Sequence, residues 1–296
     1  MKRGGSMELV KMASFNALYA LPIRVRRRLL YLRTYRRNPE LSTPVKFSEK
    51  MQWRIINDRR PHIGLAGDKI RMKKYAAEVC PEVQIPETLW AGTDPRAIAD
   101  VDWGCSWVAK PIAGAGHVTF GEGAIGSSGA RLDRMLSAPV RELKLRAEWL
   151  GSLAADGFLL EKKLPSTSSL APPEYKFWTF HGRVEMVYFR IPDEYGVTKG
   201  HRYYDRDWHS LNLKKSDVEV VDEVPCPDRL REMIVIAEKL AEDFDFVRVD
   251  LYDTPDGVYF GELTPYPTRG LQRFDPPEAD TWLGSMWNLP RIEDVR

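Results

Sequence analysis

Residues 246–252, Phe-Val-Arg-Val-Asp-Leu-Tyr, alternate apolar and polar side chains. That is the period of an extended strand, and it places Arg248 and Asp250 on one face. An acid beside an arginine on a half-buried strand is costly unless both find partners. A second apolar-rich run, residues 258–263, follows a turn made by Asp256 and Gly257, so the two runs read as a hairpin. Glu262 comes twelve residues after Asp250. Across the hairpin both carboxylates come within reach of one magnesium site, since this cation takes carboxylates together with phosphate oxygens. Arg248 is then placed to stabilise charge on a transferring phosphoryl group. A purely structural, salt-bridged hairpin is the competing explanation.

The rest of the chain predicts an α+β protein. Residues 8–37 and 47–57 space their apolar side chains as helices do, with Ser48 as N-cap of the second and Pro39 and Pro44 between them. Asp68 caps a third helix over 69–80 that Pro81 stops. Strand-like runs follow at 106–109, 118–120, 158–160, 175–180 and 184–191, with helices at 130–150 and 227–243. The Ser- and Pro-rich stretch 165–173 reads as an internal linker or as a loop within one domain.

At 296 residues and 43% hydrophobic, the chain can bury one large core or two moderate ones. Cys80, Cys105 and Cys226 form no CxxC pair and the five histidines never reach HxxxH spacing, so neither a disulfide framework nor a zinc site is expected. A reducing cytoplasm fits this usage. A net charge of +2 gives no large field for capturing nucleic acid. The charge is nevertheless uneven: Arg24, Arg26, Arg27, Arg28, Arg33, Arg36 and Arg37 crowd one segment that has no acid and is interleaved with aliphatics. Such a helix either rests peripherally on anionic lipid at the inner membrane face or packs on its own protein. No apolar run approaches the ~18 residues that span a bilayer. Residues 2–6 look unstructured, and Met7 competes with Met1 as the native start.

A second stretch carries chemistry. The run 106–109 delivers Lys110, and Gly114 and Gly116 follow directly. Glycines let backbone N–H groups approach a polyphosphate, and a lysine at the root of the loop adds positive charge. No GK[ST] ends the loop and no GxGxxG opens it, so it is neither a P-loop nor a dinucleotide fingerprint. An ordinary hairpin turn explains the same residues.

Lys69, Lys110 with its glycine loop, Glu161 to Leu164, Arg248-x-Asp250 and Glu262 follow the order of the ATP-grasp elements. Phe47-Ser48-Glu49-Lys50, Asp68-Lys69, Glu174-Tyr175-Lys176-Phe177, His181-Gly182 and Phe260-Gly261-Glu262-Leu263-Thr264 together resemble the TupA-like branch, over residues 46–284. The resemblance implies two α+β subdomains sandwiching ATP behind a helical N-terminal preface, with divisions at 1–66, 67–165 and 166–296. It implies that Lys69 and Lys110 hold the α and β phosphates while the Gly114 to Gly116 loop closes over them. By the same resemblance Glu161, Lys162 and Leu164 would belong to the hinge that hydrogen-bonds adenine, and Lys176 would reach phosphate or ribose. Asp250, Glu262 and Thr264 would bind Mg²⁺, with Thr264 standing where many members have asparagine, and Arg248 would serve the γ-phosphate. After the hinge come Pro165, Ser166 and Thr167 where an acidic ribose contact is common.

On the acceptor side, Arg269 follows the metal strand closely and is suited to hold a substrate carboxylate in a bidentate pair. The stretch 201–208 is dense in polar and aromatic groups, fit for sugar or peptide recognition or for simple packing. The resulting expectation is a carboxylate–amine ligase acting on small-molecule, glycan or peptide substrates in surface polysaccharide or peptide-like natural product biosynthesis. A kinase for a sugar or glycan hydroxyl is the alternative. A non-catalytic membrane-associated scaffold is a remote one.

Overall fold

In the computed structural model, residues 15–114, 116–126, 129–166, 172–192, 198–215 and 219–295 are described. Met1, Met7, the start of the expected first helix, Ala115 and residues 167–171 of the Ser/Pro stretch lie outside them.

The basic segment is not one helix. It forms α1 (15–20) and α2 (Ile23–Tyr35), parted at Leu21 and Pro22, because proline supplies no N–H to continue a helical ladder. Arg36, in the left-handed region at φ 58°, ends α2 with its N–H on the Leu32 carbonyl. Helix α3 (Phe47–Asn57) has the expected bounds, but its N-cap is Lys46 and not Ser48. Ser48 lies inside the helix. Its N–H and Oγ both reach the Asp280 carboxylate, at 2.7 and 2.6 Å, and Glu49 accepts from the Lys46 N–H at 3.3 Å. A carboxylate from a distant helix thus satisfies the first turn, a partner invisible to local sequence. A short helix α4 (Pro61–Leu65) leads to α5 (Lys69–Val79), which Asp68 caps as predicted by accepting from the Ile70 and Arg71 N–H groups.

Two sheets follow, antiparallel apart from one short parallel pairing of residues 219–220 with 200–201. The smaller contains β1 (Thr88–Gly92), β2 (Ser106–Pro111), β3 (Thr119–Glu122) and β4 (Phe158–Lys162) in the order β1-β4-β2-β3. Its core includes Trp107, Ala109, Leu132 and Leu160. Where one helix was expected over 130–150 there are three short ones, α6 (Ala130–Leu136), α7 (Val140–Arg146) and α8 (Trp149–Leu153). Pro139 and the left-handed Glu148 (φ 57°) interrupt them.

The larger sheet holds β5 (Glu174–Phe180), β6 (Arg183–Pro192), β7 (Thr198–Asp205), β8 (Ser210–Leu211), β10 (Glu219–Val220), β11 (Phe246–Thr254) and β12 (Gly257–Thr264), while β9 (Lys214–Lys215) pairs with β13 (Phe274–Asp275). The order runs β10-β7-β6-β5-β11-β12, so chain-distant β5 and β11 are neighbours at its centre. Helix α9 (Leu230–Leu240) buries Met233, Ile236, Ala237 and Leu240 in the same core. Helix α5 joins that core too: Met72 lies against β12, its sulfur 3.3 Å from the Leu263 nitrogen. Strand β7 was not anticipated. In it His201, Tyr203 and Tyr204 are buried, and Tyr204 stacks on Trp208 with ring centres 4.0 Å apart, so packing accounts for most of this aromatic stretch. Phe47 ties α3 to the sheet, its ring 5.3 Å from Trp178 and 4.9 Å from Phe246. Deleting such a buried ring costs about 3–5 kcal/mol.

Candidate functional site

The hairpin predicted from residues 246–263 forms, and its register decides the site. Asp250 pairs directly with Glu262, and Arg248 with Thr264. On the other side Asp250 pairs with Lys176 of β5, which pairs with Tyr188 of β6. Glu262, Asp250, Lys176 and Tyr188 therefore form one row on one face of the sheet, with adjacent Cβ atoms roughly 5 Å apart. Gly261 makes this approach feasible: a Cβ there would lie 2.8 Å from the Asp250 carbonyl oxygen.

Asp250 is fully buried and doubly compensated. Arg248 holds it in a fork, Nε to Oδ1 at 2.6 Å and Nη2 to Oδ2 at 2.7 Å, and Lys176 Nζ contacts Oδ2 from the other side. Arg248 Nη2 also donates to Thr264 Oγ1 at 3.0 Å. Burial pulls the Arg248 guanidinium downward, but the Asp250 charge outweighs it and the group is held above its ordinary value. Lys176 lies 2.7 Å from Glu174, and Arg190 donates to the same carboxylate at 2.6 Å. Against the upward push of burial, Lys176 and Arg190 hold Glu174 down to about 2. Glu262 is only partly buried and makes no ion pair among the described residues.

At the N-terminus of α5, Lys69 Nζ donates to the Gly114 carbonyl at 2.5 Å and lies 3.4 Å from that of Ile112. Lys69 thus anchors the glycine loop directly. Burial lowers its pKa to about 8, with the Glu262 charge working in the opposite direction. Gly114 and Gly116 both have positive φ, 73° and 93°, and a Cβ at Gly114 would press to 3.0 Å on that of Leu143. A cavity of about 490 Å³ brings together Lys69, Gly114, Gly116, Arg248, Glu262, Thr264 and Arg269. All of them were expected to act at phosphate, metal or acceptor.

The expected hinge residues Glu161, Lys162 and Leu164, with Lys110, line a second cavity of about 210 Å³ whose apolar walls include Val108, Phe120 and Phe260. Glu161 is bridged by two lysines, Lys110 at 2.5 Å and Lys73 at 2.8 Å. Burial raises the Glu161 carboxyl, but these two charges hold it below its ordinary value. The Lys162 and Lys163 N–H groups are bonded to the Glu87 and Ser106 carbonyls, at 3.0 and 2.9 Å. Among the described residues the Leu164 N–H has no backbone acceptor. Lys176 and Arg248 border a third, polar cavity with Arg190, Tyr188 and Gln272.

Sequence reasoning missed Lys73, Glu148 and Arg27. Lys73 stands one helical turn after Lys69, the only signal available for it. Among the described residues no cluster of three or more His, Cys, Asp or Glu could hold a metal unaided. Two carboxylates in register, Glu262 open to the cavity and Asp250 behind it, have the chemistry to hold a magnesium ion that takes its remaining oxygens from a bound nucleotide. The residues fit that group.

The model of the family described as TupA-like ATPgrasp matches residues 49–288. The chain belongs to the TupA-like ATP-grasp family. Solved structures give remoter likenesses. The ATP-grasp ligase PsnB complexed with a minimal precursor is 15% identical over 74% of this chain and 60% of that one, at TM-score 0.38. D-Alanine-D-alanine ligase from Helicobacter pylori is 14% identical over 83% and 70%, at TM-score 0.46. L-amino acid ligase from Bacillus licheniformis is 12% identical over 72% and 43%, at TM-score 0.39. The chain thus spans three fifths or less of the PsnB and L-amino acid ligase chains. No curated protein matches.

Proposed function

We propose that this TupA-like ATP-grasp protein is an ATP-dependent ligase that activates a carboxylate as an acyl phosphate and transfers it to an amine. The observation that carries the reading is the in-register Asp250–Glu262 pair, of which Glu262, together with the neighbouring Arg248, lines the same cavity as Lys69 and the glycine loop. The base of ATP lies between Val108, Leu164 and Phe260, with its polyphosphate running past Lys110 and Lys69 towards Arg248. When bound at Asp250 and Glu262, Mg²⁺ supplies charge neutralisation at the β and γ phosphates. Arg269 orients the substrate carboxylate. One of its oxygens attacks the γ-phosphorus in line and ADP departs. The amine then attacks the acyl carbon, a C–N bond forms, and phosphate leaves with the C–O electron pair and takes up the proton the amine sheds. The protein's part is positioning and charge stabilisation, so no side-chain nucleophile is required. Membership of the TupA-like ATP-grasp family supports the reading, and surface polysaccharide or peptide-like natural product biosynthesis is its proposed setting. Calorimetry with MgADP tests the reading: wild type binds, and Glu262→Gln loses the magnesium-dependent part of the affinity.

A peripheral membrane contact belongs to the same reading. Arg26, Arg27 and Arg37 turn inward to Glu148 and Glu49, whereas Val25, Arg28, Leu29, Leu32, Arg33 and Arg36 are exposed at helical spacing. An outward stripe of aliphatics and cations without an acid suits an anionic lipid surface. Among the described residues no helix is long and apolar enough to cross a membrane.

A further inference from the structure

Helix α2 lies outside residues 49–288, the segment matched to the family, yet it reaches into the acceptor end of the site. The residues after β12 turn sharply there. Thr268 (φ 49°, ψ 34°) and Arg269 (φ 57°, ψ 30°) are both left-handed, a conformation that side-chain-bearing residues rarely adopt even singly. Gly270 follows at φ 72°, where a Cβ would lie 2.6 Å from Ile55 Cδ1 and 3.2 Å from Arg27 Nη2. Something must hold this turn, and its carbonyls show what does. Arg27 Nη2 donates to the Arg269 carbonyl at 2.9 Å. Gln52 Nε2 donates to that of Gly270 at 2.5 Å, and Tyr35 Oη to that of Gln272 at 2.6 Å. Two of these three donors come from α2.

Arg27 is 1% exposed and uses its whole guanidinium. Besides Arg269 it donates from Nε to Gln52 Oε1 at 2.8 Å, and its Nη1 lies 3.4 Å from Glu148 Oε1. Arg26 holds the other oxygen of Glu148 at 2.5 Å. Glu148 and Arg269 both line the cavity that contains Glu262 and Lys69. Arg27 therefore joins two walls of that cavity through one rigid, planar fork. The Arg269 side chain itself is exposed and makes no ion pair among the described residues, so its backbone turn, and not a side-chain partner, fixes the point from which it reaches out.

We propose that Arg27 is a positioning residue for the acceptor end: by binding the Arg269 carbonyl it locks the left-handed turn that aims the Arg269 guanidinium at the substrate carboxylate, making the N-terminal helix a working part of the site. The proposal rests on the ligase reading for the role of Arg269, but the turn-holding role stands without it.

Two measurements on Arg27→Gln and Arg27→Lys separate these layers. Hydrogen–deuterium exchange reads the 266–272 segment directly. It is expected to exchange about tenfold faster or more in Arg27→Gln, because a buried charged donor has been removed from its carbonyl. Arg27→Lys is expected to recover part of that protection. ATP turnover is read against the total concentration of a pool of L-amino acids and uronic acids. The half-saturating pool concentration is expected to rise about tenfold in Arg27→Gln, with MgADP affinity within a factor of about two of wild type. Unchanged exchange in 266–272 overturns the proposal, as does an Arg27→Gln variant whose MgADP affinity falls as far as its pool affinity, which marks Arg27 as a support of the fold at large. If wild type turns over no ATP with any pool, the ligase reading fails, and exchange alone decides whether Arg27 holds the turn.

Discussion

Asp250 and Glu262 face each other across the β11–β12 hairpin with opposite surroundings: Asp250 is sealed between Arg248 and Lys176, while Glu262 stands partly exposed with no ion pair among the described residues. The two carboxylates should therefore fail differently. Asp250→Asn leaves two buried cations without their acid, which costs about 3–5 kcal/mol. Glu262→Gln should change stability by no more than about 0.5 kcal/mol. Thermal unfolding without nucleotide checks the first contrast. Repeating it with MgADP checks the second, since the magnesium-dependent part of the ligand stabilisation should be lost in Glu262→Gln although that variant is as stable as wild type alone.

The lowered pKa of Lys69 sets a pH dependence for nucleotide binding. With its pKa near 8, Lys69 is charged below that pH and loses its charge as the pH rises through it. A bound polyphosphate favours the charged form, so affinity should be constant below pH ~8 and fall by up to about tenfold per pH unit above it. Lys69→Arg, which stays charged, should remove the decline. Titrations of MgADP at pH 7, 8 and 9 decide this; a flat wild-type profile argues against a role for Lys69 at the phosphates.

Glu174 gives a prediction in acid. Its carboxyl is held down to about 2 in the folded protein against an unfolded value near 4.5. The sign follows: its contribution is present above pH ~4.5 and is lost as the pH falls from there towards 2. Glu174→Gln should flatten this part of the stability–pH curve while lowering stability at neutral pH. Chemical denaturation at pH 3, 4 and 7 measures both.

The outward face of α2 predicts salt-sensitive binding to anionic vesicles. Replacing Arg28, Arg33 and Arg36 by Gln should weaken it by about 1 kcal/mol per charge, without altering MgADP affinity. Vesicle flotation at low and high salt is the check. Equal flotation with neutral lipid, or none with anionic lipid, argues against the contact.

How much was legible in the sequence follows from how far apart the partners lie. The β11–β12 hairpin could be read because strand period and turn chemistry are local, and so could the Asp68 cap and the glycine loop after Lys110. Lys73 could not be separated from the other lysines of α5, since what distinguishes it is Glu161, 88 residues away. Glu148 and Arg27, 121 residues apart, carry no local sign of their pairing. The expected Ser48 cap gave way to Lys46 because Asp280, brought in by α10 (Glu278–Ser285), satisfies the turn instead. The 130–150 helix broke at Pro139 and at Glu148, whose left-handed backbone accompanies its burial against two arginines. Pattern marks elements and motif residues, whereas long-range ion pairs appear only once the chain is folded.

The most direct test of the central claim is to follow ADP and free phosphate together, with ATP, magnesium and pooled acids and amines, in wild type, Asp250→Asn and Glu262→Gln. The account predicts equal amounts of ADP and phosphate from wild type only when both an acid and an amine are present, and neither product from either variant. ADP without free phosphate would contradict it in favour of phosphorylation of a hydroxyl, and product formation undiminished in Glu262→Gln would remove the carboxylate pair from the chemistry altogether.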